Sequence, residues 1–194
     1  MYLLFYNRRS HIRMSDIKQY IRRILIIALV IYVSFQLQVS IFGQIPLGGV
    51  TPNVLIAVVS TYGFMKGRRY GIVTGFFAGL LLDIFSGGIF GMYALIYMYI
   101  GFLNGLFRKQ LFGDDLRLPM ILIGASDFIY GLATFLFLFA IRSQYDFYFY
   151  LMNIILPEVV YTILVSIFVY YIILHINNWV EKLEKKGSDR IGNY

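Results

Sequence analysis

Six apolar stretches constrain the fold of this chain more than any other feature. They lie at residues 24–42, 50–65, 70–85, 89–107, 118–141 and 154–174. A helix that crosses a bilayer needs about 20 apolar residues, within a range of roughly 17–25. The first, fourth, fifth and sixth stretches meet that length directly, whereas the second and third, with 16 residues each, fall just short of it. The sequence therefore predicts an all-α integral membrane protein with six transmembrane helices in one bundle.

The composition excludes the common soluble classes. Apolar residues make up 59% of the chain and charged residues 14%, whereas soluble domains have about 45–50% and about 25%. These values exclude a disordered chain, a coiled coil and an ordinary soluble enzyme. The chain has no cysteine, which excludes disulfides and thiolate metal sites.

The two shorter stretches allow a second arrangement, a re-entrant hairpin with its tip at residues 66–69. That tip carries Lys66, Arg68 and Arg69. Each cation at membrane depth would cost about 2.5–3.5 kcal/mol even on lenient insertion scales. Two short spans that borrow flanking polar residues are therefore the favoured interpretation. The first stretch is itself too long for a signal peptide, whose apolar region has about 7–15 residues.

Cationic residues predict the orientation of the six spans. Sixteen of the 17 Lys and Arg residues fall in the two terminal tails and in the loops at 66–69 and 108–117, which six spans place on one side. Arg142 lies on the other side. Cytoplasmic loops carry an excess of Lys and Arg, so we expect both termini to be cytoplasmic.

The net charge of +7 arises from the same cations, which in a six-span chain lie mostly on one side of the membrane. Six of the ten acidic residues accompany the sixteen cations, and three lie within the spans. Positive charge on one membrane face indicates anionic lipids or an acidic partner, and not nucleic acid. The predicted organisation is a basic cytoplasmic N-terminal tail (1–23), a six-span membrane domain (24–174) and a charged cytoplasmic C-terminal tail (175–194).

Glycines recur every four residues along the third span, at Gly71, Gly75 and Gly79, and the series continues to Asp83. Residues four apart share a face of a helix. A stripe of small residues lets another helix approach closely in lipid. The sequence predicts that this face packs within the bundle or docks a partner's span, and that Asp83 faces protein.

Acidic residues within the spans are candidates for function because their burial is expensive. Asp83 lies near the outer end of its span, where it could bond to the turn at 86–88. Asp127 lies deeper and needs a partner, and Glu158 follows a proline near the outer side. Asn53, Asn104, Thr74 and Ser126 are the polar partners that the spans offer. A proton-coupled carrier that uses Asp127 and Glu158 is one interpretation, although no Lys, Arg or His inside a span pairs with them.

The sequence gives little indication of catalysis. His11 and His175 both lie at the cytoplasmic edge, and the chain has no GxSxG, HExxH, P-loop or metal-spaced cluster. We therefore expect no enzyme, no cofactor and no metal. Pro52 and Asn53 open the second span, and proline is well tolerated in the first turn of a helix.

Three segments together resemble the rod shape-determining protein MreD family. They are Thr51-Pro52-Asn53-Val54-Leu55, the run from Gly71 to Asp83 that contains Gly75-Phe76-Phe77-Ala78-Gly79, and Gly91-Met92-Tyr93-Ala94-Leu95. The match covers about residues 51–105, and the length and topology agree with the family as well.

The resemblance implies a non-enzymatic subunit of the cell-elongation (rod shape) complex in the bacterial inner membrane. Its expected partner is an MreC-like single-span protein, with indirect links to the peptidoglycan synthases and to an MreB-like filament. The family also resembles the substrate-binding subunits of energy-coupling-factor vitamin transporters, and such a subunit is the alternative function. Against it, the first span has few small residues for the docking face that those subunits use.

Overall fold

The structure, a computed structural model, describes residues 14–46, 49–87, 89–110, 116–142 and 146–189. Every regular element within these ranges is helical. The α-helices are α1 (Met14–Gln36), α2 (Val54–Lys66), α3 (Arg68–Ser86), α4 (Met92–Leu106), α5 (Arg117–Arg142), α6 (Phe147–Tyr150) and α7 (Leu156–Asp189). Short π or 3₁₀ segments extend the helices at Leu37–Ile41, Phe42–Gln44, Phe107–Gln110 and Leu151–Ile155.

Among the described residues, four helical segments are long and apolar enough to cross a membrane. They are Gln19–Gln44, Arg68–Ser86, Arg117–Phe137 and Phe147–Leu183. The prediction of an all-α membrane protein is thereby confirmed. Helices α2 and α4 are apolar but shorter, with 13 and 15 residues.

The third span borrows flanking polar residues, as predicted, whereas the length predicted for the fourth span was wrong. The third stretch is long enough because Arg68 and Arg69 join α3 at its N-terminal end, which gives a helix of 19 residues. The fourth is too short because Gly91 has φ 94°, a left-handed conformation outside helical geometry, so that α4 begins only at Met92. Glycine adopts positive φ at little cost.

Helix α2 occupies the centre of the bundle. Eleven of its 13 residues are buried, and it packs against α1, α3, α4, α5 and α7. A helix that is apolar all round is typical of a buried position. At a rise of about 1.5 Å per residue, α2 is only about 20 Å long. It is therefore covered by other helices along its length and has little contact with lipid.

Helices α2 and α7 run in the same direction. Asn53, which caps the N-terminus of α2, donates its backbone N–H to Thr162 Oγ1 (2.9 Å) near the start of α7. At the other end, Lys66 Nζ lies 2.7 Å from Glu181 Oε1.

Helix α5 runs in the opposite direction to α7. Met120, near the beginning of α5, accepts a hydrogen bond from Ser166 of α7. Gly131, later in α5, meets Ile155 just before the start of α7.

Helix α7 has 34 residues, about 51 Å at the usual helical rise, whereas the hydrocarbon core of a bilayer is about 30 Å thick. It continues past the predicted sixth span through residues 175–189 of the predicted C-terminal tail. At the N-terminus, α1 already begins at Met14, inside the predicted tail 1–23. Residues 1–13 and 190–194 of the two tails lie outside the described residues. Residues 147–153, which lie between the predicted fifth and sixth spans, are helical as well.

Candidate functional site

The glycines of α3 lie against the backbone of α4. A Cβ added to Gly71, Gly75 or Gly79 would collide with backbone atoms of Gly101, Tyr97 and Tyr93, respectively. The order of these contacts shows that α3 and α4 are antiparallel. In this structure the glycine stripe of the sequence is thus a helix–helix interface inside the chain.

Two glycines of α4 complete this interface, and the sequence analysis missed them. A Cβ on Gly101 would collide with the backbone of Gly71, and one on Gly105 with that of Arg68. Gly101 and Gly105 are four residues apart, so the same small-residue periodicity that marked α3 was also present in α4. With glycine on both sides, the two backbones approach more closely than any side chain would permit.

Asp83 lies at the end of the glycine stripe and binds the beginning of α4. Its Oδ1 accepts a hydrogen bond from Tyr93 N (2.9 Å) and its Oδ2 accepts one from Ala94 N (2.9 Å). The first N–H groups of a helix have no partner within the helix, and a carboxylate at that end is favourable. Gly91 stands at the N-cap position of α4 and makes no side-chain cap. Asp83 on α3, buried with 4% exposure, therefore provides the cap.

Asn53 connects three helices at the start of α2. Its Oδ1 accepts hydrogen bonds from Ile56 N (3.3 Å), which makes it the N-cap of α2, and from the Tyr97 hydroxyl of α4 (2.7 Å). Its backbone N–H is bound by Thr162 of α7. Asn is among the preferred N-cap residues because its side chain satisfies an orphan N–H. The preceding Pro52 is buried as well.

A second cap of α2 comes from the helical extension of α1. Gln38 Oε1 accepts a hydrogen bond from Leu55 N (3.1 Å). The sequence analysis did not identify Gln38, because nothing in a single sequence indicates that the end of one span caps the start of the next.

Asp127 of α5 and Glu158 of α7 lie near each other at the α5–α7 interface. Asp127 lies between Gly124 and Gly131 on one face of α5. A Cβ on Gly124 would lie 2.7 Å from Ile163 Cδ1, and one on Gly131 would lie 2.9 Å from Ile155 Cγ1. The face between these glycines therefore meets the part of α7 that carries Glu158, whose electrostatic interaction with Asp127 is consistent with this register.

The surroundings of Asp127 are polar but leave it unbonded. The side chains of Asn53 and Thr162 lie beside it, and its exposure is 1%. Neither of its carboxyl oxygens has a hydrogen-bond partner within the described part of the chain. Thr134 Oγ1, two turns further along α5, is buried and unbonded too.

The other predicted partners of the acids bond elsewhere. Asn104 Nδ2 donates to Ser126 Oγ (2.7 Å) and to Ser60 Oγ (3.3 Å), which connects α4 to α5 and α2. Thr74 donates to the backbone of its own helix at Tyr70 O (2.6 Å). Asn53 is therefore the predicted partner that lies beside Asp127. Asp83 belongs to the α3–α4 contact instead.

Charged residues gather at the end of the bundle away from these acids. Lys66 at the end of α2 pairs with Glu181. Lys66 and Arg23 of α1 both line a depression at this end of the bundle. Glu181 lies beyond the predicted sixth span. The hydrogen bond from Lys66 holds the pKa of the Glu181 carboxyl below its ordinary value. Within the described residues, no group of three or more metal-ligating side chains occurs.

Comparison with known proteins gives one match. The model of the family described as rod shape-determining protein MreD matches residues 18–180, which is most of the chain. The matched range includes the glycine stripe, Asp83, Asn53 and both acids of the α5–α7 interface. No curated protein and no solved structure matches the chain.

Proposed function

The chain belongs to the MreD family of rod shape-determining proteins, and from this premise we propose that it is a non-enzymatic scaffold subunit of the cell-elongation complex in the bacterial inner membrane. The family indicates a role in rod shape, and the long apolar helices indicate a membrane protein. The scaffold role is supported by the positions of the motif residues, which hold helices of the bundle together.

Asp83 illustrates this structural use. Both of its carboxyl oxygens accept hydrogen bonds from backbone N–H groups of α4, so the side chain holds two helices together. Gly71, Gly75 and Gly79 are covered by the backbone of α4. These residues therefore build a rigid α3–α4 hairpin, which supports a role in holding partners and not in converting a substrate.

We propose that all six apolar helices cross the membrane and that both termini are cytoplasmic. Opposite directions of neighbouring helices support this topology, as does the meeting of Arg23, Lys66 and Glu181 at one end of the bundle. The short helix α2 fits it because α2 is enclosed by other helices, so its length need not match the bilayer. Cations at the cytoplasmic end would then meet anionic lipids.

The proposed partner within the membrane is an MreC-like single-span protein. Opposite the glycine stripe, α3 exposes large apolar side chains, among them Val73, Phe76 and Phe77. In a bilayer such a surface is available to lipid or to another span. Synthases of peptidoglycan and an MreB-like filament would be reached indirectly, through that partner and the cytoplasmic face.

Depletion of the protein in its own host tests the scaffold function. We expect rod-shaped cells to become round, and a plasmid-borne copy of the wild-type chain to restore the rods. If depleted cells keep their shape but lose the uptake of a vitamin, the proposal is wrong and the energy-coupling-factor alternative takes its place.

A further inference from the structure

We propose that Asp127 and Glu158, together with Asn53 and Thr162, bind one small monovalent cation, H⁺ or Na⁺, inside the helical bundle. This site goes beyond the scaffold function. It lies where the start of α2 meets α4, α5 and α7.

Asp127 is the centre of the proposed site. Its exposure is 1%, and both of its carboxyl oxygens are without a hydrogen-bond partner in the described residues. Burying an unpaired carboxylate is so costly that the charge is neutralised or paired. The side chains of Asn53 and Thr162 are the polar groups beside Asp127, but the neighbouring stretches of the sequence carry no basic residue, so the structure leaves a place for a cation.

Basic residues are absent from the sequence stretches that surround the site. The sequence has no Lys, Arg or His at 50–65, 86–107, 118–141 or 146–174, the stretches that build α2, α4, α5 and the start of α7. Glu158 adds a second acidic group instead. Two acidic groups without a basic side chain require positive charge from solution, as a proton or a metal ion.

The side chains around the site carry oxygen atoms of the kind that bind hard cations. The side chains of Asn53 and Thr162 lie beside Asp127. Carboxylate, amide and hydroxyl oxygens suit hard cations. The start of a helix at membrane depth, next to irregular backbone such as residues 51–53, is where Na⁺ and H⁺ sites are built in membrane proteins.

Other titratable groups near Asp127 come from the helices that pack around it. They are Glu158 on α7, Tyr97 on α4 and Tyr130 on α5, and Tyr93 on α4 lies near Glu158. The phenols add no negative charge near neutral pH. Loss of the cation would leave Asp127 and Glu158 to repel each other across the α5–α7 interface, so we expect occupancy to stabilise the packing of these two helices.

Thermal unfolding of the purified full chain in detergent tests the site. Protein is measured in NaCl and in choline chloride at equal ionic strength, from pH 5 to pH 9, as wild type and as Asp127→Asn. A ligand at about ten times its Kd raises Tm by about 3 °C or more for a chain of this size. Asp146→Asn is the matched control, because Asp146 is an exposed acid that caps Tyr148 N and Asn can cap in its place.

Two results support the proposal and identify the ion. If Na⁺ is bound, sodium raises the Tm of the wild type and of Asp146→Asn but leaves that of Asp127→Asn unchanged. If H⁺ is bound, Tm is independent of sodium and falls as rising pH removes the bound proton, and Asp127→Asn lacks this fall. A wild type whose Tm follows neither sodium nor pH overturns the proposal, as does Asp127→Asn with the same response as wild type.

A measurement on the wild type alone covers the case in which Asp127→Asn does not fold. A hydrophobic carbodiimide modifies protonated carboxyl groups inside membrane proteins, and mass spectrometry locates the adduct. An adduct at Asp127 or Glu158 that sodium or high pH suppresses supports the site. A Tm response to sodium or pH without any such adduct overturns it.

Discussion

Asp83 on α3 binds the backbone N–H of Tyr93 on α4 at 2.9 Å, and this bond closes a hairpin whose two helices are joined along their length by glycine. The second carboxyl oxygen holds Ala94 N at the same distance. Because Gly91 ends the turn with a left-handed φ and has no side chain for capping, α4 depends on a cap from its neighbour. One acid thus fixes both the start of α4 and its register against α3.

Replacement of Asp83 tests this cap. We expect Asp83→Ala to lower the free energy of unfolding by about 2–4 kcal/mol, because two buried N–H groups lose their acceptors. Asp83→Asn keeps one acceptor, so its loss should be smaller, about 1–2 kcal/mol. Denaturant unfolding in detergent measures both. Asp146→Ala serves as the control, since the cap that it removes is exposed; a loss there as large as that of Asp83→Ala would contradict the assignment.

The glycine interface gives a second prediction. We expect Gly75→Ala to destabilise the chain by about 1–3 kcal/mol, because the new Cβ would overlap backbone atoms of Tyr97 and α3 and α4 would have to move apart. Gly43→Ala is the matched control: its Cβ would lie 3.7 Å from Gln38 O, an ordinary contact. We expect its effect to stay within about 0.5 kcal/mol. Equal effects of the two substitutions would show that close packing at Gly75 is unimportant.

Much of the α3–α4 hairpin could be predicted from the sequence, because its information is local. A period of four places Gly71, Gly75, Gly79 and Asp83 on one face, and an acid inside a span has to face protein. The partner of that face could not be predicted. Helix α4 was recognised only as an apolar stretch, and its start depends on the conformation of Gly91, which hydropathy does not report.

The polar cluster around Asp127 was less predictable because it depends on tertiary register. Asp127 and Glu158 are separated by a connection whose length says nothing of how α5 and α7 align. In the structure the alignment depends on Gly124 and Gly131, which let side chains of α7 approach. The sequence indicated that each acid would be costly to bury, but it could not show that Asp127 and Glu158 lie in one polar cluster.

The Lys66–Glu181 pair predicts a pH effect at the charged end of the bundle. The hydrogen bond from Lys66 lowers the pKa of Glu181 in the folded chain, so the pair stabilises the fold above the ordinary Glu pKa of about 4.3. This contribution is lost as pH falls through the lowered pKa, because the carboxyl then takes up a proton. A double-mutant cycle with Lys66→Ala and Glu181→Ala should give a coupling below about 1 kcal/mol at pH 7, since the pair is partly exposed.

The same cycle at acidic pH provides the check. We expect the coupling to fade as the pH falls below about 4, and also at high salt, which screens exposed charges. A coupling that persists in acid would mean that the two side chains interact through packing and not through charge.

The six-span topology differs from a four-span arrangement at two loops. If only the four long segments crossed the membrane, α2 and α4 would each return to the side on which they began. The start of α3 at Arg69 would then be external and the turn at Ile89 cytoplasmic, whereas six spans give the reverse. Both residues are exposed, and the chain has no cysteine, so Arg69→Cys and Ile89→Cys each carry a single thiol.

Labelling of intact spheroplasts with a membrane-impermeant maleimide distinguishes the two topologies. We expect Ile89→Cys to react from outside and Arg69→Cys to react only after permeabilisation. Tyr148→Cys and Lys182→Cys are matched controls, because both topologies place residue 148 outside and residue 182 inside. Labelling of Arg69→Cys in intact spheroplasts, with the controls behaving as expected, would show that α2 does not cross. The enclosure of α2 by five other helices would then have to arise from a re-entrant segment, whose three cations would face the outside against the positive-inside rule.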